Sequence, residues 1–455
     1  MKICLVTAFP PSGRQLNEYG FHLARELQRN PLVKLTILGD KLTNYEWATD
    51  KDGKPVCSDH QKELYGFHVV RCWESNRLTA SGSIARAIHR QQPDVVWFNL
   101  VYSTFATQEH PVAAFAGLCT PAITRALGYF THVTLHHILE HVDFAGAGVK
   151  QERVFRLGSE MATRALLRAN SVSVLLSGYR RTLMAKYAAE NVLLGTHGTF
   201  AACPSPPNFS LRGNPDHRIL AIGHWGTYKR LESLMEAFPE VLRRVPNARL
   251  IIAGANHHTK PGYWESIRDT YGANTRIEFR GYVPEEDVPE LFRTTSVVVL
   301  PYDSATGSSG PAHQACEYGV PVVSADLRDF RDMANDENMA ISFYRTGDAT
   351  DLANQLIGLL ESPERQRRAA EQNYSAAIRM TMPHVVRHYL RWFELERHKR
   401  MFALSSRGRL FDRFRRRSFR SALYGLPPGT LADWTLRGAL SEEEINSTQE
   451  RRRSQ

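Results

Sequence analysis

The segment ATGSSGPAHQACEYGVPVV, Ala305 to Val323, runs a Gly/Ser loop directly into a helical pattern and then a buried strand. A helix that begins on free N–H groups carries the positive end of its dipole there, which suits a phosphate. Pro311 fits the first helical position, Ser308 or Ser309 can cap the amides, and Gly310 removes the side chain that would block close approach. A capped helix with no ligand is the competing reading, and the loop alone does not separate the two. Lys229 follows the first apolar run of ILAIGHWGTYKRLESLMEAFPEVLRRVPNARLIIAG, Ile219 to Gly254, where an ammonium can neutralise a phosphate dianion. The plain alternative is a solvated lysine. His136, in TLHH, offers a ring nitrogen to a hydroxyl or simply packs at a strand end.

The elements that must hold these groups come from a chain of 455 residues, 42% hydrophobic and 10% aromatic, long enough for two cores. A charged fraction of 23% with abundant aromatics rules out wholesale disorder, collagen and coiled coil. The apolar runs Lys2–Phe9, Val33–Asp40, Asp94–Leu100, His132–Ile138, Ser171–Leu176 and Asn191–Thr196 read as strands, with helical patterns between most of them. Tyr19, Leu23 and Leu27 mark one face of the first helix. Residues 1–200 therefore form one doubly wound α/β domain, and 201–216, rich in proline and without periodicity, a linker. Strands resume at Arg218–His224, Ala248–Gly254, Arg276–Tyr282, Ser296–Tyr302 and Pro321–Ala325, giving a second Rossmann-like domain over 217–382. Ligands of such sheets sit beyond the strand carboxyl ends, so a site is expected in the cleft where the two domains face each other.

In order and content these features resemble family 4 of the retaining glycosyltransferases, which have the GT-B fold. The resemblance runs from Met1 to about Glu394. It rests on PPSGRQLNEYGFHLARELQ, on TLHH, on the Ile219–Gly254 segment, on IEFRGYVPEEDVPELFRTTSVVVLPY, and on the glycine loop followed by EYGVPVV. It implies that the first domain receives the acceptor and the second holds a UDP- or GDP-sugar. Residues 383–400 would form a helix crossing back to the first domain, and 401–455 a basic extension. Lys229 would hold the donor diphosphate, with amides of Gly307, Ser308, Ser309 and Gly310. Gly13, with Ser12, would lie against donor phosphate or acceptor, and His136 would stand beside the transferred sugar. Gly281, Tyr282 and Val283 would read the base; core packing is the alternative for Tyr282.

The chain also departs from that pattern. The family's two glutamates, eight positions apart, fall on Thr306 and Gln314. Gln314 can still accept a ribose O–H, but without charge the bond is weaker by roughly 1 kcal/mol. Glu317, one turn on, is the nearest acid, and the usual arginine beside the lysine aligns with His224.

The implied activity is transfer of a sugar from the nucleotide to a hydroxyl of a glycan or lipid-linked acceptor, with retention, as in polysaccharide biosynthesis. No cofactor is expected, and no metal, because the histidines lack ligand spacing. A nucleotide-sugar epimerase and a degenerate nucleotide-sugar-binding partner subunit are the other readings. Six scattered cysteines and a first apolar run that stops at Pro10 and Pro11 point to a cytoplasmic chain, and no ~20-residue apolar span is present.

Of the net charge of +10, residues 397–420 carry +9, ten basic side chains against Asp412. With Leu410, Phe411, Phe414, Phe419 and Leu423 interleaved, residues 397–424 offer an anionic membrane surface a basic amphipathic helix, peripheral on the cytosolic face. A solvated charge run or a docked helix are the alternatives. Nucleic acid is not expected, since the phenylalanines share one helix face.

If His224 replaces the arginine, donor affinity falls as pH rises through the histidine range. A His224→Ala variant loses that dependence, and an unchanged affinity profile refutes the role.

Overall fold

A computed structural model describes residues 1–42, 62–64, 66–107, 109–142, 152–209, 216–257, 260–284, 286–304 and 307–412. The chain divides into two units, 1–390 and 391–455. The first holds two sheets. One comprises β1 (Lys2–Val6), β2 (Lys34–Asp40), β3 (Lys62–Leu64), β4 (Phe67–Trp73), β5 (Val95–Leu100), β6 (Phe130–Leu135), β7 (Ser171–Val174) and β8 (Val192–Leu194). Their order is β3-β4-β2-β1-β5-β6-β7-β8, all parallel except the edge strand β3. The other comprises β9 (Arg218–Trp225), β10 (Arg249–Asn256), β11 (Ile277–Arg280), β12 (Val297–Leu300), β13 (Val322–Ala325) and β14 (Ile341–Tyr344). It is wholly parallel, in the order β11-β10-β9-β12-β13-β14. These are the two expected Rossmann-like domains. In each, strand order reverses beside the first strand, at β1/β5 and β9/β12, which opens a crevice at the carboxyl ends.

Strands such as VVWFNL are buried at every position because helices cover both faces of the sheet. Three strands escape sequence reading: the three-residue edge strand β3, β4 and β14. β4 alternates Phe67, Val69, Arg71 and Trp73 inward, and the buried arginine breaks its apolar signature. β14 is a half-buried edge strand, and Ser342 interrupts its apolar run. Several expected strands end early, among them His132–Ile138 and Arg276–Tyr282, so that His136 lies just beyond β6 and Gly281 to Val283 just beyond β11, all in loops.

A stripe of acids sews the domains together. Asp329, Asp332 and Asp336 recur at i, i+3 and i+7 on the helix Arg328–Glu337 and meet the amino end of the first-domain helix Ser177–Tyr187. Ser177 N donates to Asp336 at 2.7 Å and Arg181 to Asp332 at 2.8 Å. Tyr179 Oη donates to Asp329, and His141 Nδ1 lies 3.3 Å from the same carboxylate. Negative charge at a helix amino terminus is favourable. Burial alone would raise the Asp329 pKa, but hydrogen bonds from His141, Tyr179 and the Gly307 amide outweigh it and hold the carboxyl below its usual range.

The last helix, Met382–Asp412, is longer than the expected 383–400 span. Its first turns lie on the first domain: Thr199 pairs with Thr381, and Tyr389 sits against Trp97 and His132 with its hydroxyl 2.9 Å from Ser173 Oγ. In the second unit the helix continues to Asp412, with Phe402 74% exposed. Phe414, Phe419 and Leu423 lie outside the described residues. No described helix is long and apolar enough to cross a membrane.

Several histidines are packed into the first domain. His132 lies between the hydroxyls of Ser171 and Ser173, and His22 stacks on Phe200. Burial lowers their pKa values to about 3 for His132 and His136 and about 4 for His22 and His137. The folded chain therefore keeps them neutral where the unfolded chain protonates them. Their contribution is complete above the ordinary histidine pKa of about 6.5 and is lost as pH falls below it. Between pH 7.5 and 5.5 each is expected to remove about 1.4 kcal/mol, the opposite shift of His313 returning part of the total. Urea midpoints at the two pH values measure this, and His136→Gln should make the drop smaller by one such increment. Equal midpoints would contradict it.

Candidate active site

The second domain builds its part of the site from two adjoining loops. The loop after β9 pairs with the loop after β12: Asp303 N donates to Tyr228 O at 2.8 Å, Arg230 N to Pro301 O at 3.3 Å, and Lys229 and Tyr302 form an antiparallel bridge. The Lys229 ammonium lies 4.9 Å over the Tyr302 ring, a cation–π contact, and among the described residues it has no carboxylate partner. Tyr302 is buried, and its hydroxyl is beside Ser309. Lys229 is thus held on the loop that leads into the Gly/Ser segment.

That segment opens the helix Gly310–Glu317, with Pro311 in its first turn as expected. Of the two candidate caps, Ser309 does the work, accepting from Ala312 N at 3.5 Å. Ser308 turns its hydroxyl toward Met333 Sδ, 3.8 Å away. Among the described residues the amides of Ser308, Ser309 and Gly310 meet no acceptor, and a Cβ on Gly310 would meet open space. Behind the loop, His313 holds the Ser309 carbonyl through Nδ1 at 2.7 Å while Nε2 lies 2.8 Å from Glu337. Burial alone would lower the His313 pKa, but Glu337 outweighs it and the net shift is upward.

The first domain meets this loop through His136. Gly307 has φ +91°, and a Cβ there would stand 2.5 Å from the His136 carbonyl oxygen, so only glycine lets the two domains close to this distance. Its amide donates to Asp329 at 3.1 Å. The His136 ring is 7% exposed, edge-on to Tyr19 at 4.5 Å between centroids, with Nε2 2.7 Å from Asn99 Oδ1. Asn99 Nδ2 donates to Thr7, which turns its oxygen toward the histidine. The assigned tautomer therefore carries the proton on Nε2, leaving Nδ1 as an acceptor, and the lowered pKa keeps the ring neutral.

Ser12 is fully buried and faces inward: its hydroxyl donates to Asp40 at 2.5 Å, where Arg71 lies 3.4 Å from the carboxylate and Phe9 N donates at 3.2 Å. The hydroxyl thus anchors its own loop. Gly13 is exposed, with open space beside its Cα. His224 is exposed at the end of β9. Gln314 is half-buried in the middle of its helix, and Thr306 lies outside the described residues. Glu317 is buried and accepts from Ala201 N at 3.3 Å, so it fastens the interdomain linker and is committed away from a ribose. Tyr282 is 80% exposed, which removes the core-packing reading. With Val283 it lines a cavity of about 480 Å³ shared with Arg218, Arg280 and Asp287, to which neither Lys229 nor the Gly/Ser loop contributes.

Asn99, Asp329 and the Asp40–Arg71 pair are the positioning residues that sequence reading missed. Asn99 had a signal, the lone amide in VVWFNL, and the acid spacing of the Arg328–Glu337 helix was another. Among the described residues no group of three His, Cys, Asp or Glu is arranged to hold a metal ion.

Residues 216–362 match the family described as glycosyl transferases group 1. An uncharacterized glycosyltransferase of Methanocaldococcus jannaschii is 30% identical over 127 residues, 28% of this chain and 31% of the relative, so the match spans about a third of that protein's length. Among solved structures, sucrose-phosphate synthase from Thermosynechococcus elongatus superposes with a TM-score of 0.65 at 16% identity, covering 89% of this chain and 100% of that one. Anabaena HepE, solved in complex with UDP and glucose, gives a TM-score of 0.59 at 15% identity, over 87% and 99%. The second domain thus carries the glycosyl transferases group 1 sequence, within a GT-B fold of two Rossmann-like domains.

Proposed function

We propose that the chain transfers a sugar from a UDP- or GDP-sugar to a hydroxyl of a glycan or lipid-linked acceptor, with retention of configuration. The observation that carries this reading is the coincidence, on two paired loops, of an ammonium without a carboxylate partner and three amides without acceptors among the described residues. Together they form a seat for a diphosphate. The ligand named for the Anabaena structure, UDP with glucose, agrees with such an occupant.

In the proposed reaction the bond from the sugar's anomeric carbon to the phosphate oxygen breaks, and negative charge develops on the leaving diphosphate. Lys229 and the amides of Ser308 to Gly310 are fixed before the reaction, so they stabilise that charge without reorganising. His136 Nδ1 accepts a hydrogen bond from a sugar hydroxyl and fixes the ring. The acceptor oxygen bonds to the anomeric carbon on the face the phosphate leaves, and its proton passes to the departing phosphate oxygen.

A second reading, a nucleotide-sugar-binding partner subunit without activity, is favoured by one feature: Gln314 is neutral where the family has an acid, and Glu317 is occupied at the linker. Product formation with any donor excludes it. Lys229→Ala is expected to lower turnover about 100- to 1,000-fold with the fold intact. In thermal-shift measurements the matching nucleotide adds about 2.7 kcal/mol at a hundred times its dissociation constant. Unchanged turnover in Lys229→Ala, or no response to any nucleoside diphosphate, would overturn the assignment.

A further inference from the structure

The helix Glu152–Leu166 turns an apolar ridge to solvent. Val154, Leu157 and Met161 are 63%, 62% and 50% exposed, at i, i+3 and i+7, the spacing of one helix face. The helices Pro111–Leu118 and Thr120–Ala126 pack against it. They add exposed Val112 and Ile123, with Leu127 just beyond the second. Large apolar side chains exposed together mark a surface that meets something.

Arginines border the ridge. Arg153 and Arg164 are exposed on the same helix and Arg168 just past its end. Arg125, Arg164 and Arg168 line a cavity of about 440 Å³ with Tyr187 and Asn191, and Glu190 is the one acid on its wall. Two of these guanidinium groups are held in place. Arg125 donates to the carbonyls of Arg168 and Ala169 at 2.8 and 3.3 Å, and Arg164 lies 5.1 Å over the Tyr187 ring. Glu160 on the helix is neutralised by Lys186 at 2.7 Å. The cavity lies where β6, β7 and β8 begin, at the end of the sheet away from the cleft.

We propose that this face docks on an anionic lipid bilayer: Val154, Leu157, Met161, Ile123 and Leu127 enter the headgroup–acyl boundary, and the three-arginine cavity takes a lipid phosphate. An apolar ridge flanked by basic groups has this complementarity, and guanidinium forks match phosphate oxygens. The surface is independent of the proposed transferase chemistry and of residues 397–424.

The 455-residue chain is sedimented with phosphatidylcholine vesicles and with vesicles that also contain phosphatidylglycerol. Binding to the mixed vesicles alone, weakening as salt rises, is expected. L157D/M161D and R164E/R168E, all changes at exposed positions, should each reduce it about tenfold. If wild type does not bind, or both variants bind as wild type does, the proposal falls, the second result assigning binding to the basic tail. Hydrogen exchange on the unmodified chain gives a check free of folding effects. Amides of residues 152–166 gain protection with mixed vesicles and none with inorganic phosphate, whereas protection elsewhere only, or equally with phosphate, overturns the lipid assignment.

Discussion

Three carboxylates of one helix, seated at the amino end of another, determine how the two sheets face each other. Asp329, Asp332 and Asp336 lie on a single face and meet Tyr179, Arg181 and the amide of Ser177, where a helix dipole and hydrogen-bond donors both favour negative charge. Asp329 also takes the Gly307 amide. The contact that joins the domains therefore also positions the first residue of the described Gly/Ser loop, and that residue touches the His136 backbone. The distance between the Gly/Ser loop and the histidine is set by this clasp.

Around it, polar groups fall into two kinds. Some are buried and engaged with one another, because an unpaired charge in the interior costs several kcal/mol. Asp40 with Arg71 and Ser12 fixes the loop after β1, and Asn99 with Thr7 sets the tautomer of His136. Others are held but, among the described residues, left open: Lys229 over Tyr302, and the amides of Ser308 to Gly310. The proposed diphosphate seat is built from this second kind.

Much of the fold was legible because parallel strands covered on both faces are continuous apolar runs, and such runs stand out without knowledge of their neighbours. β4 was hidden because its inward face includes Arg71, whose partner Asp40 belongs to another strand. The loop, its proline and the lysine were legible too, since helix starts and glycine turns are written in adjacent residues. Ser12 as an anchor and Glu317 as a linker clip were not, because each role is defined by a group distant in sequence.

The amino-acid order by itself determined two α/β domains and which residue types stand at the loop and at Lys229. These depend on propensities and periods that act over a few residues. Tertiary structure alone decided that Ser309 rather than Ser308 caps, that His136 keeps a free Nδ1, that Tyr282 stands in solvent and that Gly307 is where the domains touch. Those outcomes depend on hydrogen bonds and close approaches between segments far apart in the chain, and only folding brings such partners within reach.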